Sequence, residues 1–243
     1  MGKRIRVQRR GRGSPTFQAS THKRVAPAHY PDLPKEAKEG MIRGQVMWLL
    51  HDPGRGSPLA LTELENGETY YSVAPEGVHE GQVIELGGRA LADVGNVLPM
   101  GKIPEGTIVC DIELSPGDGG RLARSSGAYA TVISHTPSGT MIKLPSGKTR
   151  YVNDMCLATV GIVAASGRVD KPLLKAGAKF HWMRSKGHKY PRTRGIAMVA
   201  AVHPYGSSKR GARARIKPVS RNAPPGKKVG HIAARRAGKK KRK

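Results

Sequence analysis

The chain is poor in cysteine, with only Cys110 and Cys156 among 243 residues. They lie 46 residues apart with no neighbouring pair. That excludes a disulfide framework and a cysteine zinc site, and suits a reducing compartment. Long apolar runs are also missing. The longest, from Ile196 to Val202, spans seven residues, against the ~20 needed to cross a bilayer. No apolar stretch follows the basic opening MGKRIRVQRRGR, so no secretory signal is expected. Arg6 at the sixth position breaks the myristoylation pattern. Aromatic residues make up 5% of the chain. Acidic residues are the scarcest for the load they face, 17 against 43 Lys+Arg, for a net charge of +26. A compact domain carrying that charge repels itself, so a large anionic partner is implied.

The position of the charge is more informative than its sum. Residues 1–34 carry +7, residues 35–175 carry −2, and residues 176–243 carry +21 with no acid at all. A near-neutral middle therefore bears two cationic extensions. A single run of five basic residues is commonly a solvated face or a nuclear address. The 73 residues after Asp170, the last acid, have no carboxylate to offset them, and such a segment neither collapses alone nor avoids polyanions. Binding a membrane surface would need an amphipathic apolar face or a lipid anchor. The tail offers Gly, Pro, Ala and single apolar residues between arginines instead, as in GARARIKPVSRNAPPGKK. Nucleic acid is the better partner. The candidate phosphate contacts on the extensions are Arg4, Arg9, Arg10, Arg12, Lys179, Arg184, Lys186, Arg192, Arg194, Lys209, Arg210, Arg213 and Arg215.

What is plentiful is turn chemistry, with 31 Gly and 18 Pro. The middle reads as short strands between Gly/Pro turns. The first unit holds MIRGQVMWLL (41–50), LALTELE (59–65), ETYYSVA (68–74) and QVIELG (82–87), with Asn66-Gly67 as a hairpin turn. The Pro/Gly-dense stretch 96–106 marks a boundary. TIVCDIEL (107–114), AYATVIS (128–134), TMIKLP (140–145), KTRYVN (148–153) and CLATVGIVAA (156–165) form a second unit. This spacing predicts small barrels. One short helix is expected, capped by Asp170, with Pro172 in its first turn and Gly177 as its terminator.

Few residues point to chemistry. Gly147-Lys148-Thr149 resembles the end of a phosphate-binding loop, but Ile142 stands where the first glycine belongs, so a hairpin turn is predicted. Gly11-Arg12-Gly13-Ser14-Pro15 recurs as Gly54-Arg55-Gly56-Ser57-Pro58. Both copies place an arginine between flexible residues, so Arg55 joins Arg12 as a candidate phosphate contact, beside the alternative of coincidental turn chemistry. In the loop 115–127, Gly117, Gly119, Gly120 and Gly127 are expected to expose backbone N–H groups. Arg121, Arg124, Ser125 and Ser126 would add charged forks and hydroxyls. No metal-ligating spacing occurs among the nine histidines. His203 is the one candidate general base, but no acid follows Asp170 to orient it, and contact with a base, a phosphate or a 2′-hydroxyl is favoured. No catalytic residue is assigned.

GGRLARSSGAYATVI, GKIPEGT and RGIAMVAAVHPYG, in this chain at 119–133, 101–107 and 194–206, resemble the universal large-subunit ribosomal protein family L-two. Nearly the whole chain takes part in the resemblance. Tyr205, the run Ser207-Ser208-Lys209-Arg210 and the final KKKRK are similar to the archaeal and eukaryotic branch. The resemblance implies an all-β fold: an OB-like barrel followed by an SH3-like barrel, with long basic extensions that order on rRNA. The implied division is 1–36 N-terminal extension, 37–95 OB-like barrel, 96–175 SH3-like barrel and 176–243 C-terminal extension. The implied partners are large-subunit rRNA near the peptidyl-transferase region, neighbouring ribosomal proteins and the small subunit through an intersubunit bridge, with no membrane. No cofactor held by protein side chains alone is implied; Mg2+ shared with rRNA phosphates is the one ion considered. The resulting expectation is a structural, non-enzymatic constituent of the cytoplasmic ribosome. Its rivals are an enzyme using His203, a general nucleic-acid condenser and a free translation-factor-like protein.

Overall fold

The computed structural model describes residues 2–32, 40–207 and 217–235. The chain divides into two compact units, one formed by Thr21–Pro172 and the other by Met1–Ser20 with Leu173–Lys243. The first is all-β. Its strands are β1 (Ile42–Leu50), β2 (Leu59–Leu64), β3 (Thr69–Val73), β4 (Val83–Leu86), β5 (Val97–Pro99), β6 (Ile108–Cys110), β7 (Ala130–Thr136), β8 (Gly139–Lys143), β9 (Thr149–Val152) and β10 (Leu157–Val160). They run in the order β3-β2-β1-β4-β5-β10-β6-β7-β8-β9, as an OB-like barrel followed by an SH3-like barrel.

Local chemistry sets the hairpins. Gly67 takes the left-handed φ of +81°, and the Asn66 side chain accepts the Glu68 N–H at 3.0 Å, so β2 turns directly into β3. The Gly147 turn joins β8 to β9 in the same way, with a φ of +79° and a bond from Gly147 N–H to Leu144 O of 2.9 Å. In β1 the even positions Gly44 and Val46 are buried while Arg43 and Gln45 face outward, the period-two pattern of a half-buried strand. A side chain at Gly44 would start 2.8 Å from Leu64 Cδ2, so glycine there lets β2 approach closely.

Two strands hold the barrels together. Val97 and Leu157 point into one apolar cluster with Val46, Leu64, Ile84 and Leu86. Their neighbours Leu98 and Ala158 point into the other, with Met100, Ile103, Val109 and Ile142. Thus β5 and β10, paired antiparallel, form a wall shared by both cores. Strands buried on both faces lose their polar alternation. In the stretch 96–106, expected from its Pro and Gly as a plain boundary, residues 96–100 and Ile103 are for that reason buried, while Gly101, Lys102 and 104–106 are exposed.

A second difference lies before β1. Ala28 and Tyr30 are buried in the β unit, and the Tyr30 hydroxyl donates to Asp111 O at 2.8 Å and shares a 2.5 Å hydrogen bond with Thr159 Oγ1. Residues 25–34 contain no Lys or Arg, so this part of the basic extension has the composition of a packing segment.

The expected helix is displaced. Residues 171–175 are not helical. After α1 (Arg6–Arg10), the next α-helix among the described residues, α2, spans Ala176–Ser185 and places Gly177 in its first turn. Asp170 follows a 3-10 turn at Ser166–Arg168 and caps nothing. The terminator is Gly187, at a φ of +67°: its N–H reaches Arg184 O at 3.0 Å and the His188 N–H reaches Met183 O at 2.9 Å. Those paired bonds satisfy carbonyls left open at the helix end.

Candidate nucleic-acid interface

The glycine-rich loop after β6 is closed from within. Glu113, 1% exposed, accepts N–H groups from Gly117 at 3.2 Å, Gly119 at 3.0 Å and Leu157 at 2.9 Å. The Gly120 N–H goes to Asp118 Oδ1 at 3.2 Å, and that of Gly127 to Val163 O at 2.9 Å. This corrects the expectation that the four glycines expose their N–H groups. The nest binds an anion, but the anion is the chain's own carboxylate.

The same inward use governs three candidate contacts. Arg124 donates to Gly120 O and Ala28 O, both at 2.6 Å, with its Nε 2.9 Å from the fully buried Asp111 carboxylate. Arg55 pairs with buried Asp52 at 3.2 Å and reaches Ala26 O at 3.4 Å. Ser126 is buried, and its hydroxyl accepts from Arg168 Nε and Nη2 at 3.0 and 2.8 Å. These groups brace the β unit and are turned away from an external phosphate. Burial pushes the Asp111 carboxyl up to about 7, against the opposing pull of Arg124 and Arg55. Burial also pushes the Cys156 thiol up to about 12 and that of Cys110 well above its usual value. Neither thiol is a nucleophile at neutral pH. Arg121 and Ser125 remain exposed on the loop.

The other unit carries its charge with no acid to offset it. Its only buried apolar side chains among the described residues are Ile5 and Val229, and the Lys3 N–H binds Ala201 O at 2.6 Å. Arg4, Arg9, Arg10, Arg12, Arg184, Arg192 and Arg194 are exposed, while Lys179 and Lys186 are half-buried. The Lys186 ammonium stands 4.3 Å above the Trp182 ring. Lys209, Arg210, Arg213 and Arg215 lie outside the described residues.

His203 sits in the turn beside Tyr205. Its Nδ1 accepts the Tyr205 N–H at 3.1 Å, the two rings are 5.2 Å apart, and a side chain at Gly195 would collide with the imidazole. Desolvation, helped by the Arg6 charge, lowers the His203 pKa below its usual 6.5. The ring is therefore neutral with its proton on Nε2. The lone pair that a general base would need is occupied by backbone. What His203 offers to a partner is a donor.

The aromatic residues of this unit were not singled out from sequence. Phe17, Phe180, Trp182, Tyr190 and Tyr205 supply five of the chain's eleven aromatic side chains, interleaved with arginine and lysine. That interleaving is a signal for single-stranded nucleic acid. Among the described residues no group of His, Cys, Asp and Glu is arranged to hold a metal ion, and no helix is long and apolar enough to cross a membrane.

Comparison with known proteins covers both units. The family described as "Ribosomal Proteins L2, RNA binding N-terminal domain" matches residues 1–86, and "Ribosomal Proteins L2, C-terminal domain" matches residues 93–226. The large ribosomal subunit protein uL2 of Thermofilum pendens is 52% identical over 242 residues, covering 99% of this chain and 97% of that protein. Those of Korarchaeum cryptofilum and Methanocaldococcus jannaschii are 47% and 48% identical, with 100% and 99% of this chain covered and 98% and 100% of theirs.

Proposed function

Because the chain belongs to the ribosomal protein L2 family, we propose that its acid-free unit anchors and neutralises large-subunit rRNA near the peptidyl-transferase region. The chain is a structural constituent of the large ribosomal subunit, with an RNA-binding N-terminal domain. The observation that carries the proposal is a difference in counter-charge: in the β unit Arg55 and Arg124 are consumed by buried carboxylates, whereas the acid-free unit turns Arg4, Arg9, Arg10, Arg12, Arg192 and Arg194 outward with no carboxylate side chain of its own to meet them. Shape and phosphate contacts dominate such binding, because A-form grooves offer side chains little sequence information.

In this reading the protein makes no bond. It binds rRNA early, contacts neighbouring ribosomal proteins, and reaches the small subunit through a bridge. It thereby supports subunit association, tRNA binding and peptide-bond formation indirectly, within the cytoplasmic ribosome. The occupied Nδ1 of His203 supports a packing role over proton transfer. Gradient fractionation of cell extract at high salt tests the assignment: the chain is expected to sediment with large subunits, and recovery only in the free-protein fractions would overturn it. His203→Gln particles are expected to assemble and retain peptidyl transfer within about tenfold, short of the loss of a general base. Loss by the ~10²–10⁴-fold typical of a missing general base, in well-assembled particles, would restore the enzymatic alternative.

A further inference from the structure

Within the unit formed by residues 1–20 and 173–243, one cavity of about 380 Å3 gathers Phe17 and Tyr190 with Arg6, Arg10, Lys179 and Arg192. Its volume falls in the ~300–1,000 Å3 range of small-molecule sites. No acid or side-chain amide lines it. Two aromatic rings in a cationic rim select a ligand that is both planar and anionic.

The cavity is built by the backbone around it. Gly187 ends α2 in the left-handed region, and a Cβ there would stand 2.7 Å from Phe17 O and 2.9 Å from Ala19 N. The helix terminus is thus pressed against the segment that carries Phe17. That ring is set by the turn Pro15–Phe17, whose last N–H binds Ser14 O at 2.8 Å. Arg6 and Arg10 stand four residues apart on α1, a like-charge spacing that weakens a helix unless an anion lies between the two. The Lys179 ammonium stands over one face of the Tyr190 ring, 5.5 Å from its centroid, within reach of the phosphate of a nucleotide whose base lies on the opposite face.

We propose that this cavity receives a single unstacked nucleotide of the rRNA, its base on the Phe17 and Tyr190 rings and its phosphates on the surrounding cations. The proposal rests on the rRNA-binding role above and adds a site to it. A base paired inside a helix presents no free face, so the nucleotide must be looped out or single-stranded. With no amide or carboxylate in the wall, recognition is by stacking and tolerates any base. A free mononucleotide has the same chemistry. The exposed Arg9, Arg12 and Arg194 favour the polymer, because they offer sites to its next phosphates.

The test uses the full chain and transcribed large-subunit rRNA, titrated between 50 and 200 mM salt, the window in which phosphate contacts are most legible. Phe17→Ala and Tyr190→Ala are each expected to weaken binding about 5- to 150-fold, the loss of one stacked base, with an unchanged salt slope. Tyr190→Trp is expected to keep the wild-type affinity and Tyr190→Leu to lose it. That pair separates stacking from mere filling even if an alanine variant folds poorly. Unchanged affinity in both alanine variants, equal rescue by leucine, or an altered salt slope would overturn the site. Micromolar binding of AMP, abolished by Tyr190→Ala while rRNA affinity stays intact, would assign the cavity to free nucleotide and overturn the rRNA source. Failure of the wild-type chain to bind rRNA would instead remove the underlying role.

Discussion

Arg121 and Arg124 lie three residues apart in one loop, and their surroundings give them opposite tasks. The Arg121 side chain is 62% exposed and only 4.0 Å from Asp118, an ion pair worth little in water. The Arg124 side chain is 21% exposed and faces a carboxylate with no exposure at all. Arg124→Ala leaves Asp111 unpaired in the interior, so a loss of ~3–5 kcal/mol in unfolding free energy is expected, read by urea denaturation. Arg121→Ala is expected to leave stability within ~0.5 kcal/mol and to weaken rRNA binding while lowering the salt slope by ~1. Equal effects of the two would refute the division. His203 provides a pH marker. Its lowered pKa means that the folded state disfavours the protonated ring, so the turn's contribution is complete above the usual 6.5 and declines as pH falls below it. Imidazole 15N shifts in the free chain are expected to show proton-free Nδ1 at neutral pH and a midpoint below 6.5. A midpoint at or above that value would contradict the packing described. Sequence alone identified the chemistry of the 115–127 loop as an anion nest, but its occupant, Glu113, lies outside that loop, and no spacing rule aims a carboxylate inward.

Among the elements, those specified by neighbouring residues were legible and those specified by distant ones were not. Asn66-Gly67 and Gly147 announce their hairpins because a left-handed residue in a two-strand turn is a local requirement. The double burial of β5 and β10 has no such sign: Val97 and Leu98 differ only in which core they enter, and that depends on strands paired from elsewhere in the chain. The expected helix start differs from the observed one because Asp170 and Pro172 supply plausible starting signals, whereas the two bonds that end α2 come from the Gly187 and His188 N–H groups. The Tyr30 segment is the extreme case, since its hydroxyl meets partners 81 and 129 residues away. Only the absence of Lys and Arg from 25–34 hinted at it. Tyr30→Phe retains the ring but leaves Asp111 O and Thr159 without that hydroxyl. It is expected to cost ~1–3 kcal/mol, the penalty of buried groups left unsatisfied, measured as a lower urea midpoint at unchanged m-value. No shift in midpoint would mean that packing of the ring alone fixes this segment.

At the scale of the molecule, the two units divide the charge completely. Residues 21–172 hold 15 Lys+Arg against 17 Asp+Glu, for −2, whereas residues 1–20 with 173–243 hold 28 basic residues and no acid, for +28. The β unit can therefore fold without an anion, and its inward arginines balance its own buried carboxylates. The other unit has no internal counter-charge, so rRNA phosphates must supply it. Each phosphate neutralised releases counterions, and log affinity falls with log salt at a slope near −0.9 per contact. A chain engaging ~6–10 phosphates is expected to lose ~3–5 decades of affinity between 50 and 200 mM salt. Replacing Arg9, Arg10 and Arg12 together by Gln removes three outward charges without touching a buried acid, and is expected to lower the slope by about 3, one for each contact. Arg124→Met in the same titration is expected to leave the slope unchanged, since that guanidinium is already spent on Asp111, Gly120 and Ala28. A flat salt response in the wild type, or a slope that drops as much for Arg124→Met as for a single outward arginine, would show that the charge partition does not drive binding.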